Sequence, residues 1–343
     1  MRDGEILILK GNQIITLLTN REKELIEAVS LTYQAHQRSA VSLPHSVFLR
    51  FPNNDKNRII ALPAYLGDGF DVAGIKWISS FPGNRAQGFD RASAVMILNS
   101  ADTGRPEAIL EGSVISAKRT AASAALAAQQ LHGENKDTSA AIIGCGMINF
   151  EIVRFLLAAR PWLKSITVYD LEENYAHKFK GKCQRSFEGV EVSVTRDLSE
   201  ALASSSLISI ATTASTPYIK NLSACPQGST VLHVSLRDLS PEAILSCENV
   251  VDDADHVCRA QTSVHLAEQQ VGHRDFIRAS MGAILLGEAP GRLKPDATVV
   301  FSPFGMGTLD LAVGKLAFQL ALKYTQGDLI EDFLPDSWLV RAN

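Results

Sequence analysis

The chain has 343 residues, enough for two domains, and its 46% hydrophobic and 20% charged content is that of an ordinary globular protein. A net charge of -4 gives no electrostatic basis for binding nucleic acid or an anionic membrane. Five irregularly spaced cysteines without a Cys-x-x-Cys pair argue against a disulfide framework or a structural zinc, and no run reaches the roughly 20 apolar residues that span a bilayer.

The first 20 residues read as a short strand and a turn. The strand, Ile6-Leu-Ile-Leu9, is only four apolar residues before Lys10, so no signal peptide is expected and the cytoplasm is the expected location. Residues 22–36 carry Leu25, Ile26, Val29, Leu31 and Tyr33 at helical spacing. Strand-like runs follow at 46–51, 58–62, 72–78 and 94–98, with Gly, Pro and Asn between them. The first 110 residues therefore read as a meandering sheet with one or two helices. Residues 115–131 are alanine-rich and predicted helical.

From Ala140 the pattern alternates. Strands are predicted at 140–143, 166–169, 190–194, 207–210, 230–234 and 249–251, with helices at 150–159 and 199–203. That is a doubly wound parallel sheet. The alternation ends near Val299-Val-Phe301, and a last helix over 309–324 is apolar on more than one face, as buried helices are. The expected organisation is α/β: a Rossmann domain over 126–305, inserted in an α+β substrate-binding and dimerisation domain made of 1–125 and completed by 306–343.

The sharpest local signal is Ala140-Ala-Ile-Ile-Gly-Cys-Gly-Met-Ile-Asn149, with Asp170 ending the next strand. Gly144 supplies a tight bend, and Gly146 lets backbone N–H groups approach a pyrophosphate at the positive end of a helix. A carboxylate at Asp170 accepts hydrogen bonds from an unphosphorylated ribose and repels a 2′-phosphate, and Leu171-Glu-Glu follows it without an arginine. The expected cofactor is NAD rather than NADP. The third fingerprint position is Asn149 instead of Gly or Ala, which suggests looser helix–strand packing there. Cys145 reads as a small side chain that fits the turn.

Four cations stand out before this turn: Arg50, Lys76, Arg91 and Arg119. Lys76 lies inside an apolar run, Gly74-Ile-Lys-Trp77, so it must meet an anion or carry a shifted pKa. Arg119, in Ser116-Ala-Lys-Arg-Thr120, can reach a carboxylate or a phosphate. Of the two histidines that stand out, His233 and His265, His233 lies at the end of a core strand and reads as a satisfied structural histidine. No His/Asp/Glu group has metal-ligand spacing, so no metal is expected.

Gly74-Ile-Lys-Trp77, Arg119-Thr120-Ala121, Gly144-Cys-Gly146, Asp238 and Gly305-Met-Gly-Thr-Leu-Asp-Leu-Ala312, in this order, resemble the ornithine cyclodeaminase/mu-crystallin family over nearly the whole chain. Within it, Arg91-Ala-Ser93, Ile97-Leu-Asn99, Gly287-Glu-Ala-Pro-Gly-Arg292 and Pro303-Phe-Gly-Met306 look most like N-(2-amino-2-carboxyethyl)-L-glutamate dehydrogenases. The resemblance implies NAD-dependent oxidation of a secondary amine with several carboxylates, in the making of 2,3-diaminopropionate for siderophores or antibiotics.

By the same resemblance Lys76 binds a carboxylate near the reacting carbon, and Arg119 bridges substrate and cofactor. Thr120, Met147, Ile148, Thr212 and Ser235 match cofactor-contact positions, and a homodimer is implied. Asp238 matches the catalytic acid, which activates water or takes the amine proton; a raised pKa would suit it. The competing reading of Asp238 is a cap for the helix that starts near Ser240-Pro241.

Where cyclodeaminases have Gly-Asp-x-Pro-Gly-Lys, this chain has Leu236-Arg-Asp-Leu-Ser-Pro-Glu242, which argues against ornithine and makes Arg237 a further carboxylate ligand. The alternatives are another amino-acid dehydrogenase, a ketimine reductase or a cyclodeaminase of this family. From another class comes a mu-crystallin-like binding protein with little turnover.

Overall fold

The computed structural model describes residues 4–132 and 137–336; residues 337–343 of the expected 306–343 segment lie outside this range. The chain forms two compact units. One takes the residues up to Arg21, Arg38–Arg119 and those from Met306 on; the other takes Glu22–Gln37 and Thr120–Gly305.

The first unit is built on an eight-stranded mixed sheet. Its order is Asp328–Ile330, Ile6–Leu9, Pro106–Glu111, Ala94–Ser100, Val72–Ser80, Asn54–Leu66 and Val41–Ser42, and Val47–Phe51 also pairs with Asn54–Leu66. Ile6–Leu9 runs parallel to Pro106–Glu111, and the other neighbours are antiparallel. The apolar helix Gly307–Tyr324 covers one face of this sheet. Gly74 makes the packing possible: a Cβ there would strike Ile97 O and come within 2.9 Å of Leu311 Cδ2. Lys76, two residues on, belongs to that covered face, in one cross-strand row with Leu62 and Met96.

Three expectations change here. The turn expected after the first strand is the helix Gly11–Leu18; Ile14, Leu17 and Leu18 at helical spacing bury one side of it. The strands Pro106–Glu111 and Asp328–Ile330 went unpredicted, because neither run is long or alternating enough to stand out. The helix Glu22–Gln37, expected with the N-terminal domain, belongs to the second unit, where the Tyr33 hydroxyl bonds Ser123 Oγ at 2.6 Å.

The second unit holds an eight-stranded sheet, parallel throughout. Its order is Glu191–Val194, Ser165–Tyr169, Ser139–Ile143, Leu207–Ile210, Thr230–His233, Val299–Ser302, Glu248–Val251 and Ile277–Ser280. The central strands are buried along their whole length, as strands covered on both faces are. The strand order reverses between Ser139–Ile143 and Leu207–Ile210. That switch point opens the crevice in which doubly wound sheets bind ligands, at the carboxyl ends of the strands. The strand Ile277–Ser280 and the helices Glu173–Ser186 and Ser263–Val271 add to the predicted alternation. Among the described residues no helix is long and apolar enough to cross a membrane.

Candidate active site

In the first unit a buried carboxylate gathers two of the predicted cations. Lys76 Nζ lies 2.6 Å from Asp310 Oδ2, and Arg119 Nε lies 3.1 Å from Asp310 Oδ1. Lys76 also donates to Ser116 Oγ at 3.2 Å. Ser116 and Arg119 are three residues apart in the helix Ser113–Leu131 and so share a face. Asp310 is fully buried in the first turn of Gly307–Tyr324.

Both expectations for Lys76 hold: it meets an anion, and its pKa shifts. Burial pushes it from 10.5 down to about 8, with Arg119 pressing the same way and Asp310 opposing. Two cations share one carboxylate, so the cluster carries an excess positive charge. Asp310 is not among the expected site residues; the signal for it is an acid in the first turn of a largely apolar helix.

Arg50 and Arg91 lie on other parts of the first unit. Arg50 pairs across the sheet with Arg58, and its guanidinium lies 5.7 Å from the Phe48 ring centroid. Arg91 sits in the loop before Ala94–Ser100, where its carbonyl accepts the Phe81 N–H at 2.8 Å.

In the second unit the glycine turn lies at the switch point. Gly144 has φ +92°, and a Cβ there would come 2.5 Å from Ala211 O, so both backbone conformation and close approach demand glycine. Gly146 caps the helix Met147–Ala159 without a side-chain hydrogen bond, leaving its first N–H groups for an anion. Met147 is 47% exposed beside that turn, and Ile148 is half-buried. Asp170 Oδ2 accepts the Cys145 N–H at 2.7 Å, and Oδ1 accepts the Glu172 N–H at 3.0 Å. This anchors the carboxylate at the end of its strand. The turn, the uncapped helix and the anchored acid together fit a dinucleotide.

Asn149 does not loosen the packing as expected. It is fully buried, and its amide bonds the turn's own carbonyls, Ile143 O at 2.8 Å and Gly144 O at 2.6 Å. Burial and the charge of Asp170 push the Cys145 thiol up, so it remains protonated.

Asp238 is fully buried in a nest of polar groups. The Thr212 hydroxyl donates to Oδ1 and the Ser235 hydroxyl to Oδ2, so two positions expected to touch cofactor also hold the carboxylate. His233 Nε2 lies 3.3 Å from Oδ2 and accepts the Asp238 N–H at 3.2 Å, while Nδ1 faces Ser302 Oγ at 3.1 Å. Which of the two Nε2 contacts is a hydrogen bond depends on the tautomer: without a proton Nε2 accepts from the peptide, and with one it donates to the carboxylate. The structural reading of His233 was therefore incomplete.

The expectation of a raised pKa at Asp238 is overturned. Burial acts in that direction, yet His233, Ser235 and Thr212 together outweigh it and hold the carboxyl below its usual value. The cap reading also fails, since Ser240 caps the following helix by accepting the Ala243 N–H. Leu236 sits at φ +72°, a strained conformation for a residue with a side chain, two positions before Asp238. Arg237 Nη2 donates to Ala260 O at 2.7 Å.

Tyr218 was missed altogether. Its N–H donates to Asp238 O at 3.0 Å, and burial together with the Asp238 charge pushes its hydroxyl up. Nothing in Ser215-Thr-Pro-Tyr218 announces this, because only the fold brings it to Asp238.

The model of the ornithine cyclodeaminase/mu-crystallin family matches residues 9–323. The chain is 28% identical over 330 residues to the N-((2S)-2-amino-2-carboxyethyl)-L-glutamate dehydrogenase of Staphylococcus aureus, covering 94% of this chain and 97% of that protein. The Thermococcus litoralis Delta(1)-pyrroline-2-carboxylate reductase, solved with NADH and L-proline, superposes with a TM-score of 0.88 at 25% identity, covering 94% of this chain and 99% of that one. An archaeal alanine dehydrogenase dimer with bound NAD gives 0.85 at 26% identity, covering 95% and 99%. With the family model matched over nearly its whole length, the chain belongs to the ornithine cyclodeaminase/mu-crystallin family.

Proposed function

We propose that this protein is an NAD-dependent oxidoreductase acting on the CH–NH group of an amino-acid substrate. The proposed reaction converts N-(2-amino-2-carboxyethyl)-L-glutamate, NAD and water to L-2,3-diaminopropionate, 2-oxoglutarate, NADH and a proton, supplying a siderophore or antibiotic precursor in the cytoplasm. The carrying observation is the excess positive charge of Lys76 and Arg119 around the buried Asp310, which calls for a carboxylate ligand. Arg50, Arg91 and Arg237 are the further cations proposed for a substrate with three carboxylates.

Gly144, Gly146, Met147, Ile148, Asp170, Arg119, Thr120, Thr212 and Ser235 are the residues proposed to hold NAD, which when bound supplies the hydride acceptor. Lys76 and Arg119 grip carboxylates and fix the glutamate Cα in one orientation. Oxidation removes a hydride from that carbon and the proton from nitrogen, giving an imine. Asp238, held ionised, takes a proton from the amine or from the attacking water. Water adds to the imine carbon, the C–N bond breaks, and the nitrogen leaves with the diaminopropionate.

A homodimer is part of this reading. The uncovered face of the first unit's sheet carries a cross-strand row of Val47, Ala61, Trp77 and Val95, with Val47 63% and Trp77 44% exposed. An apolar row of that kind suits a second copy.

The test is a substrate panel with NAD: N-(2-amino-2-carboxyethyl)-L-glutamate, alanine, ornithine and glutamate, with cyclic imines and NADH in reverse. NADH and 2-oxoglutarate should appear together with the first compound. Turnover of another substrate alone would replace this reaction. Ammonia release from ornithine without net NADH would make the protein a cyclodeaminase, and NADH binding without any turnover a binding protein.

A further inference from the structure

The Gly144–Cys145 peptide is gripped from both sides. Its carbonyl accepts Asn149 Nδ2 at 2.6 Å, and its N–H donates to Asp170 Oδ2 at 2.7 Å. Asn149 Nδ2 reaches Ile143 O as well, at 2.8 Å. From the neighbouring strand, Ser209 Oγ donates to Asn149 Oδ1 at 2.7 Å, which fixes the end of the amide that faces the turn. Asn149 and Ser209 are both buried. An amide bonded through both its nitrogen and its oxygen has one orientation, and a network fully satisfied in a dry interior is rigid.

We propose that Asn149 is a positioning residue for the dinucleotide, acting through this single peptide. It holds the peptide plane so that the Cys145 N–H keeps Asp170 aimed where the ribose is read. Ser209 orients Asn149 in turn. A glycine linkage with φ +92° is free to rotate its peptide, so the turn needs a clamp from outside itself. Glycine or alanine at position 149 would let the helix approach the strand but would offer no donor to the two carbonyls. The departure from the glycine fingerprint is thus a second anchor for the turn. The inference rests on the reading of the turn as the NAD site.

Binding of NADH and of NADPH, read by fluorescence titration of wild type, Asn149→Ala, Asn149→Asp and Ser209→Ala, tests it, with melting temperatures as the control for folding. Asn149→Ala should weaken NADH about tenfold, the worth of a buried hydrogen-bonded anchor. It should also narrow the preference for NADH over NADPH, and in turnover the loss should fall on KM for NAD rather than on kcat. Asn149→Asp, which sets a carboxylate against two carbonyls, should lose more, and Ser209→Ala should move the same way by less. An Asn149→Ala protein that melts earlier yet keeps both affinities would reduce Asn149 to packing. Should that variant fail to fold, an unchanged NADH/NADPH ratio in Ser209→Ala overturns the proposal. Since no amine substrate enters the titration, failure of the proposed reaction would leave this result readable.

Discussion

Lys76 and Asp310 meet at 2.6 Å with both side chains shut away from water. A buried pair of this kind is costly to break from one side, because the surviving charge stays in the interior. Asp310→Asn would leave Lys76 and Arg119 sharing the space without their common carboxylate. It should cost about 3–5 kcal/mol of stability, seen as a large fall in melting temperature. Asp310→Glu, which keeps the charge, should lose less.

The same pair sets a pH dependence with two opposite signs. Lys76 releases its proton at about 8 in the folded protein and at 10.5 in the unfolded chain. Between those values the unfolded chain binds more protons, so this group makes stability rise with pH across that window; below it both states are charged and its contribution is constant. Carboxylate binding runs the other way. KM for the amine substrate should climb above pH 8 as Lys76 loses its charge, while the melting temperature does not fall on its account. Lys76→Met should remove the alkaline rise in KM, and a rise that persists in that variant would belong to another group.

Asp238→Asn should retain NAD binding and lose turnover. The carboxyl is held low by His233, Ser235 and Thr212 against burial, so Asp238 should stay ionised through the neutral range. A depressed carboxyl contributes stability above the unfolded pKa and loses it as pH falls through the folded value. The acid limb of kcat/KM should therefore lie below the ordinary carboxylate range. Unchanged turnover in the variant would remove Asp238 from the mechanism.

Asp170→Ser should weaken NADH about 10- to 100-fold, the worth of a charge-assisted hydrogen bond, and should narrow the gap to NADPH. Comparable efficiency of the wild type with NADPH would contradict the NAD assignment.

Trp77→Lys, on the uncovered sheet face, should shift the protein toward monomer in sedimentation or light scattering without changing its fold. A wild-type monomer would place the apolar row in some other role.

Local signals were legible where the chemistry is local. The buried strand, glycine turn and acid of 140–170 read directly from sequence, because a turn at φ +92° admits few residues other than glycine and a fully buried strand is continuously apolar. Lys76 inside an apolar run announced that it needed a partner, but not which one. Asp310 is 234 residues away and reaches Lys76 only because the last helix lies across the sheet over Gly74. Arg119 was visible as a cation in a predicted helix, whereas the cross-strand pairing of Arg50 with Arg58 depends on the register of the strands.

At the second site the sequence named Asp238, Thr212 and Ser235 by resemblance. It could not give the sign of the Asp238 shift, since that balances burial against three neighbours from different strands and loops. His233 looked structural and Tyr218 unremarkable because neither carries a pattern of its own. By itself the sequence determined the fold class, the glycine turn and the need for buried counter-charges, all properties of short stretches and of composition. Only the tertiary structure decided the partners, and with them the protonation states and the clamp of Asn149 on the turn, because desolvation and hydrogen bonding depend on what distant segments bring within about 3 Å.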